Sequence, residues 1–254
     1  MAQQLQQQLW NIANDLRGKM GADEFRDYIL GFIFYKYLSE KMRLYADKIL
    51  QQDQVRYVEL DENSAEGRQY IDAIRDEALE KLGYFLKPSE LFIVLAAKGN
   101  ADTGDETFIL EDLTNVLKSI EQSTMGTDSE EEFGNLFEDL DLTSSKLGKT
   151  ENQKNELICK VLYHLGKIDF EIANTDSDIL GDAYEYLIAQ FASGAGKKAG
   201  EFYTPQAVST ILARLVTVGK TRLKSVYDPT CGSGSLLLRV AKEVEDVSSF
   251  HGQE

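Results

Sequence analysis

Proline, cysteine, histidine and long apolar runs are all scarce in this sequence, and each scarcity removes a class of protein. The two cysteines among 254 residues, Cys159 and Cys231, follow no ligand or disulfide pattern. That excludes a disulfide-stapled secreted scaffold and fits a reducing cytoplasm. Two histidines, His164 and His251, are too few for a conventional zinc site, so no metal is expected. The longest apolar stretches, such as residues 91–97, fall far short of a bilayer span, and no membrane partner is expected. The Gln-rich start has no basic segment leading into an apolar one, so it is not a secretory signal. The three prolines, Pro88, Pro205 and Pro229, never adjoin one another, so these residues hold no Pro-Pro motif.

Positive charge is also in short supply. Lys and Arg number 27 against 43 Asp and Glu, a net charge of −16. Taken alone, that argues against nucleic acid, whose partners usually carry a basic footprint. The acid is concentrated, however: residues 101–141 hold 13 acidic side chains and one Lys, whereas residues 1–50 are near neutral. Such a block reads first as a solvated surface, and second as a face turned away from DNA. What is present in quantity is core material, 43% hydrophobic and 10% aromatic, which makes disorder along the whole length untenable.

Leu5, Leu9, Ile12, Ala13, Leu16 and Met20 recur at helical spacing, and Gly18 and Gly21 break the run. Asp23 is placed to cap a second run through Phe25, Ile29, Phe32, Ile33, Leu38, Met42, Tyr45 and Ile49. With Tyr28, Tyr35 and Tyr37 added, that helix is apolar nearly all round, the mark of a central bundle helix. Further helical patterns cover residues 67–82, 110–119, 130–136 and 152–165, the last ending near Gly166. Together these predict an all-α domain over residues 1–168.

The pattern changes in residues 169–254. Asp178 is placed to cap a helix through Leu180, Ala183, Tyr184, Leu187, Ile188 and Phe191, followed by a mildly basic glycine-rich loop over residues 193–200. Gly196-Lys197 there is no phosphate loop, because Lys198 replaces the required Ser or Thr and a helix precedes it. Thr204 and Pro205 suit the cap and first position of another helix, with Val208, Ile211, Leu212, Leu215 and Val216 along one face. Residues 223–228 predict a strand, Ser235 to about Val244 a helix, and residues 247–251 a second strand. Strand, glycine loop, helix, strand is the opening of a Rossmann-like doubly wound sheet, so the expected fold class is all-α followed by the first part of an α/β domain.

Three segments carry candidate chemistry. Asp228-Pro-Thr-Cys-Gly-Ser-Gly-Ser-Leu236 lies where a strand hands over to a helix, with Gly232 and Gly234 admitting a ligand close to the backbone and helix-start amides beyond. A dinucleotide fingerprint needs a third glycine where Leu237 stands, and Asp228 would repel a pyrophosphate. The acid suits a cationic ligand, although the loop also reads as a plain tight turn. Glu254 follows 26 residues after Asp228, at the end of the next predicted strand, where a carboxylate commonly binds ribose hydroxyls. Gly200-Glu-Phe-Tyr-Thr-Pro205 reads either as a capped helix start with aromatics beneath it or as a lid over a cofactor.

The pairing of GEFYTP with DPTCGSGSLL about two dozen residues later is similar to the cofactor motifs of adenine-specific DNA methyltransferases of the type I modification-subunit kind. The runs Leu9-Trp-Asn-Ile-Ala-Asn-Asp-Leu-Arg-Gly18 and Phe25-Arg-Asp-Tyr-Ile-Leu-Gly-Phe-Ile-Phe-Tyr-Lys-Tyr-Leu-Ser-Glu40 resemble that family's helical N-terminal domain. The resemblance implies S-adenosylmethionine as cofactor, bound by Gly200, Glu201, Phe202, Tyr203, Thr204 and Pro205, by Asp228, Gly232, Ser233, Gly234 and Ser235, and by Glu254. It implies DNA as substrate, with the target adenine flipped from the duplex. As partners it implies a specificity subunit, a second modification subunit and optionally a restriction subunit. The family's later Asn/Asp-Pro-Pro-aromatic motif does not occur in these residues. The expectation is therefore a partial chain that transfers no methyl group alone. Two other readings remain: a non-enzymatic subunit- or DNA-interaction module, and a nicotinamide-dependent dehydrogenase, which the missing third glycine and the FYTP segment disfavour.

Overall fold

The computed structural model describes residues 7–12, 14, 22–99, 108–170, 204, 206–232 and 234–253. It divides the chain into two compact units, Met1–Ala183 and Tyr184–Glu254. The described residues of the first are all helix, turn and loop. Helices α1 (Ala22–Ile49), α2 (Ala65–Leu82), α3 (Phe92–Lys98), α4 (Leu110–Ser123), α5 (Glu130–Phe133) and α6 (Glu151–Gly166) follow a short helical stretch at residues 7–12. α1 is the axis, as its sequence predicts: Tyr28, Ile29, Phe32, Ile33, Tyr35, Leu38, Met42 and Ala46 are all buried. Its mid-helix Gly31 has a packing reason, since a Cβ there would lie 2.5 Å from Leu140 Cδ1.

The other helices start and stop where local chemistry directs. Ser64 caps α2 by accepting from Gly67 N–H at 2.9 Å, and Gly83, at φ 81°, closes its other end. Thr150 caps α6 through Gln153 N–H at 3.3 Å. α4 buries Leu110, Leu113, Val116, Leu117 and Ile120 and runs one turn further than its sequence pattern suggests. α5 ends early because Gly134 is extended and Asn135 turns left-handed at φ 60°. α3 was not anticipated: a seven-residue apolar run shows no polar face from which to read a period. In the described part of the acidic block, Glu111, Asp128, Glu130, Glu138, Asp139 and Asp141 are exposed, as expected of a surface.

Tyrosine hydroxyls tie loops to helices. Tyr57 donates to Leu86 O at 2.6 Å, Tyr35 to Glu90 O at 2.7 Å and Tyr84 to Leu38 O at 2.8 Å. Ser39 and Ser123 accept from the N–H groups of Phe92 and Phe85, at 2.7 and 3.0 Å. Lys36 is buried inside α1. Its ammonium donates to Ile168 O at 2.8 Å and to Glu40, and stands 4.2 Å from the centre of the Phe170 ring. Burial holds its pKa below the ordinary lysine value, while Glu40 pulls it back up.

In the second unit, α7 (Gln206–Thr217) packs on α8 (Ser235–Glu243), which follows the strands β1 (Arg222–Leu223) and β2 (Val226–Asp228) and precedes β3 (Asp246–Val247) and β4 (Phe250–Gly252). β1 pairs with β3 and β2 with β4, both parallel, with Val226 opposite Phe250 and Asp228 opposite Gly252. Each of the two strands expected from the sequence is thus broken in the middle, at Lys224–Ser225 and at Ser248–Ser249. The breaks align, and Ser248 N–H to Leu223 O (3.1 Å) and Val226 N–H to Ser249 O (3.0 Å) carry the ladder across them. The apolar face expected of α7 exists but points outward: Val208, Ile211, Leu212, Leu215 and Val216 are exposed, while Ser209, Ala213 and Thr217 are buried. The buried side of α7 is therefore the one that carries small side chains.

Candidate cofactor-binding site

The candidate site lies at the C-terminal end of β2, where the chain reverses through a glycine turn into α8. Asp228 ends the strand and is buried, and its carboxylate accepts from Thr230 N–H at 3.0 Å, which starts the turn. Gly232 and Gly234 both adopt left-handed backbone, at φ 50° and 76°. A Cβ added at either would meet no heavy atom within 4 Å. Left-handed backbone, rather than internal packing, therefore accounts for both glycines. Gly234 N–H donates to Cys231 O at 2.8 Å, and Gly234 O accepts from Leu238 N–H at 3.0 Å, so the loop runs directly into α8. Ser235 is the first residue of that helix, whose leading amides and positive dipole end face the loop.

Of the other residues singled out from the sequence, Thr204 is exposed just ahead of α7. Gly200, Glu201, Phe202, Tyr203, Pro205, Ser233 and Glu254 lie outside the described residues, as do the helix expected from Asp178 and the loop over residues 193–200. The structure therefore brings Asp228, Gly232, Gly234 and the start of α8 into one turn. Sequence reasoning missed Tyr227, on β2 itself, and Gly252 and Gln253, which meet this turn from the end of β4. Gly252 and Cys231 touch across 21 residues of sequence, a spacing that carries no motif. Among the described residues no helix is long and apolar enough to cross a membrane.

Comparison with known proteins bears on both units. Residues 5–165 match the family described as the HsdM N-terminal domain, and residues 175–254 the family described as N-6 DNA Methylase. The chain is 36% identical to the type I restriction enzyme MpnII methylase subunit of Mycoplasma pneumoniae, over 98% of this chain and 47% of the relative. It is 23% identical to the MjaIX methylase subunit of Methanocaldococcus jannaschii, over 99% of this chain and 42% of the relative. Among solved structures, the type I restriction-modification system methyltransferase subunit from Streptococcus thermophilus superposes with a TM-score of 0.77 at 35% identity, covering this whole chain and 53% of that one. The chain thus spans about half the length of these relatives. With a helical unit and a methylase-type α/β unit in this order, the chain belongs to the family of methylase, or modification, subunits of type I restriction–modification systems.

Proposed function

We propose that the protein to which this chain belongs transfers a methyl group from S-adenosylmethionine to the exocyclic amine of adenine in DNA, as the modification subunit of a cytoplasmic type I complex. The observation that carries the cofactor reading is the turn after β2: a buried carboxylate, two left-handed glycines under open space, and a helix start. S-adenosylmethionine supplies an electrophilic methyl group beside a cationic methionine end and a ribose. Asp228 is suited to the cation and ill suited to a pyrophosphate. Gly232, Ser233, Gly234 and Ser235 would lie along the ligand, Glu254 would accept from the ribose diol, and residues 200–205 would cover the methionine end. The helical domain, with its boundary near residue 168, would engage DNA and the specificity subunit. A second modification subunit and a restriction subunit would complete the assembly.

Calorimetric titration with S-adenosylmethionine and with NAD tests the cofactor. Binding of the first and not the second is expected, and Asp228→Asn should weaken it by about tenfold or more. Binding of NAD in preference would return the reading to a dehydrogenase. Methylation of adenine by the full-length protein with its specificity subunit, read with labelled cofactor, tests the reaction. The 254 residues alone, which hold no Asn/Asp-Pro-Pro-aromatic motif, are expected to transfer nothing.

A further inference from the structure

Among the described residues, nothing covers the apolar face of α7. Val208, Ile211, Leu212, Leu215 and Val216 fall at i, i+3, i+4, i+7 and i+8, the spacing of a helix that faces a core, and all five are exposed. Soluble proteins rarely leave a contiguous apolar strip of this kind to water. Val208, Leu212 and Val216 each precede one of the buried residues Ser209, Ala213 and Thr217, so they lie about 100° around the helix from the buried side. Ile211 and Leu215 lie further round in the same sense. α7 packs on α8, and α8 in turn packs on β2. Two helices side by side in one layer have this arrangement, with the apolar face of α7 left for a second layer. The strands are incomplete in the same way. Among the described residues β1 pairs only with β3 and β2 only with β4, so the parallel ladder is two strands wide. Its outer edges carry main-chain groups that a further strand would pair.

We propose that the apolar face of α7 is the seat of further strands of the same α/β domain, contributed by the part of the full-length protein that follows residue 254. The described residues before α7 are helix, turn and loop, so they supply no such strand. The chain covers 47% of the Mycoplasma relative and 42% of the Methanocaldococcus one, which leaves ample sequence to provide it. A second copy of α7 laid on this face would cover it and leave the ladder open, whereas added strands satisfy both the face and the edge. α7 is then an inner helix of the domain, and its five apolar residues belong to the core rather than to the surface. The inference rests on the fold and is independent of which cofactor the glycine turn binds.

The test uses the full-length protein with its specificity subunit, a diazirine analogue of leucine standing in place of Leu215. Isotopically light and heavy copies are mixed and irradiated, and the products are mapped by peptide mass. The expected product joins position 215 to a peptide beyond residue 254 of the same copy. In parallel, the full-length variants Ile211→Cys and Ala207→Cys are treated with a maleimide. Ala207 is exposed on the flank of α7 away from the apolar face, so its cysteine reports an uncovered position. The cysteine at 211 should react at least about tenfold more slowly than the one at 207. A cross-link between light and heavy copies would make the occupant a second copy and overturn the proposal. A cross-link to the specificity subunit, or one confined to residues 1–254, overturns it equally. So does labelling at 211 as fast as at 207, which would leave the face open to water.

Discussion

At the scale of single residues, the polar groups inside the helical unit are the ones whose replacement should be felt most. Lys36 fills the space between Phe92 and Phe170 and supplies a donor to Ile168 O. Lys36→Ala removes both packing and donor and should destabilise by about 3 kcal/mol, whereas Lys36→Met keeps the volume and should cost about 1 kcal/mol. Urea unfolding followed by helix content would separate them, and equal losses would show that volume does not matter at this position. The buried tyrosines act at the other end of the pH scale. Burial, assisted by Glu90, raises the phenol of Tyr57 far above the ordinary range, and burial likewise raises Tyr35 and Tyr84. Because their folded pKa values exceed the unfolded one, the stability they contribute is complete below about pH 10 and declines as pH rises beyond it. Spectrophotometric titration should show these three phenols ionising only together with loss of helix content. Ionisation while the helices persist would contradict their burial.

At the scale of elements, what could be read from the sequence and what could not divides along physical lines. α1, α2, α6 and α8 were legible because each is long enough to show a 3.6-residue period, although the cap expected at Asp23 is not one, since α1 begins at Ala22 and takes Asp23 into its first turn. α3 has seven residues and almost no polar face, so its period is invisible. The glycine turn was legible because glycine and an acid at a strand end have few other reasons to occur together. The hold of Gln253 on that turn, through Asp228 O and Cys231 N–H, was not, since main-chain hydrogen bonds and the missing Cβ of Gly252 leave no pattern in the sequence. α7 shows a third kind of failure: its apolar face was read correctly from the sequence, yet the buried side is the small-residue one. Ala213→Leu should therefore destabilise this unit by about 1–3 kcal/mol by overpacking, while Ile211→Glu, at a position 58% exposed, should change it by less than about 0.5 kcal/mol. Thermal unfolding of the two variants checks this, and the reverse ranking would mean that the apolar face is the packed one.

At the scale of the whole molecule, 43 acidic against 27 basic side chains make the folded chain repel itself. Surface ion pairs such as Lys81–Glu80 and Lys160–Glu156 are too exposed to offset that. Raising NaCl from low to physiological concentration should therefore raise the midpoint of thermal unfolding, because screening relieves repulsion over distances longer than any one pair. A falling midpoint would mean that local attraction outweighs the acid excess. The stretch from Tyr84 to Leu91 has a consequence of another kind. By backbone it is mostly loop, yet α1, α4 and Tyr57 hold it by hydroxyls at Tyr84, Phe85, Leu86 and Glu90. Each bond fixes a particular position along the chain, so inserting or deleting one residue there would put the rest out of step. When members of this family are compared, differences in length should therefore gather in other loops, and this stretch should keep a constant number of residues even where its letters change.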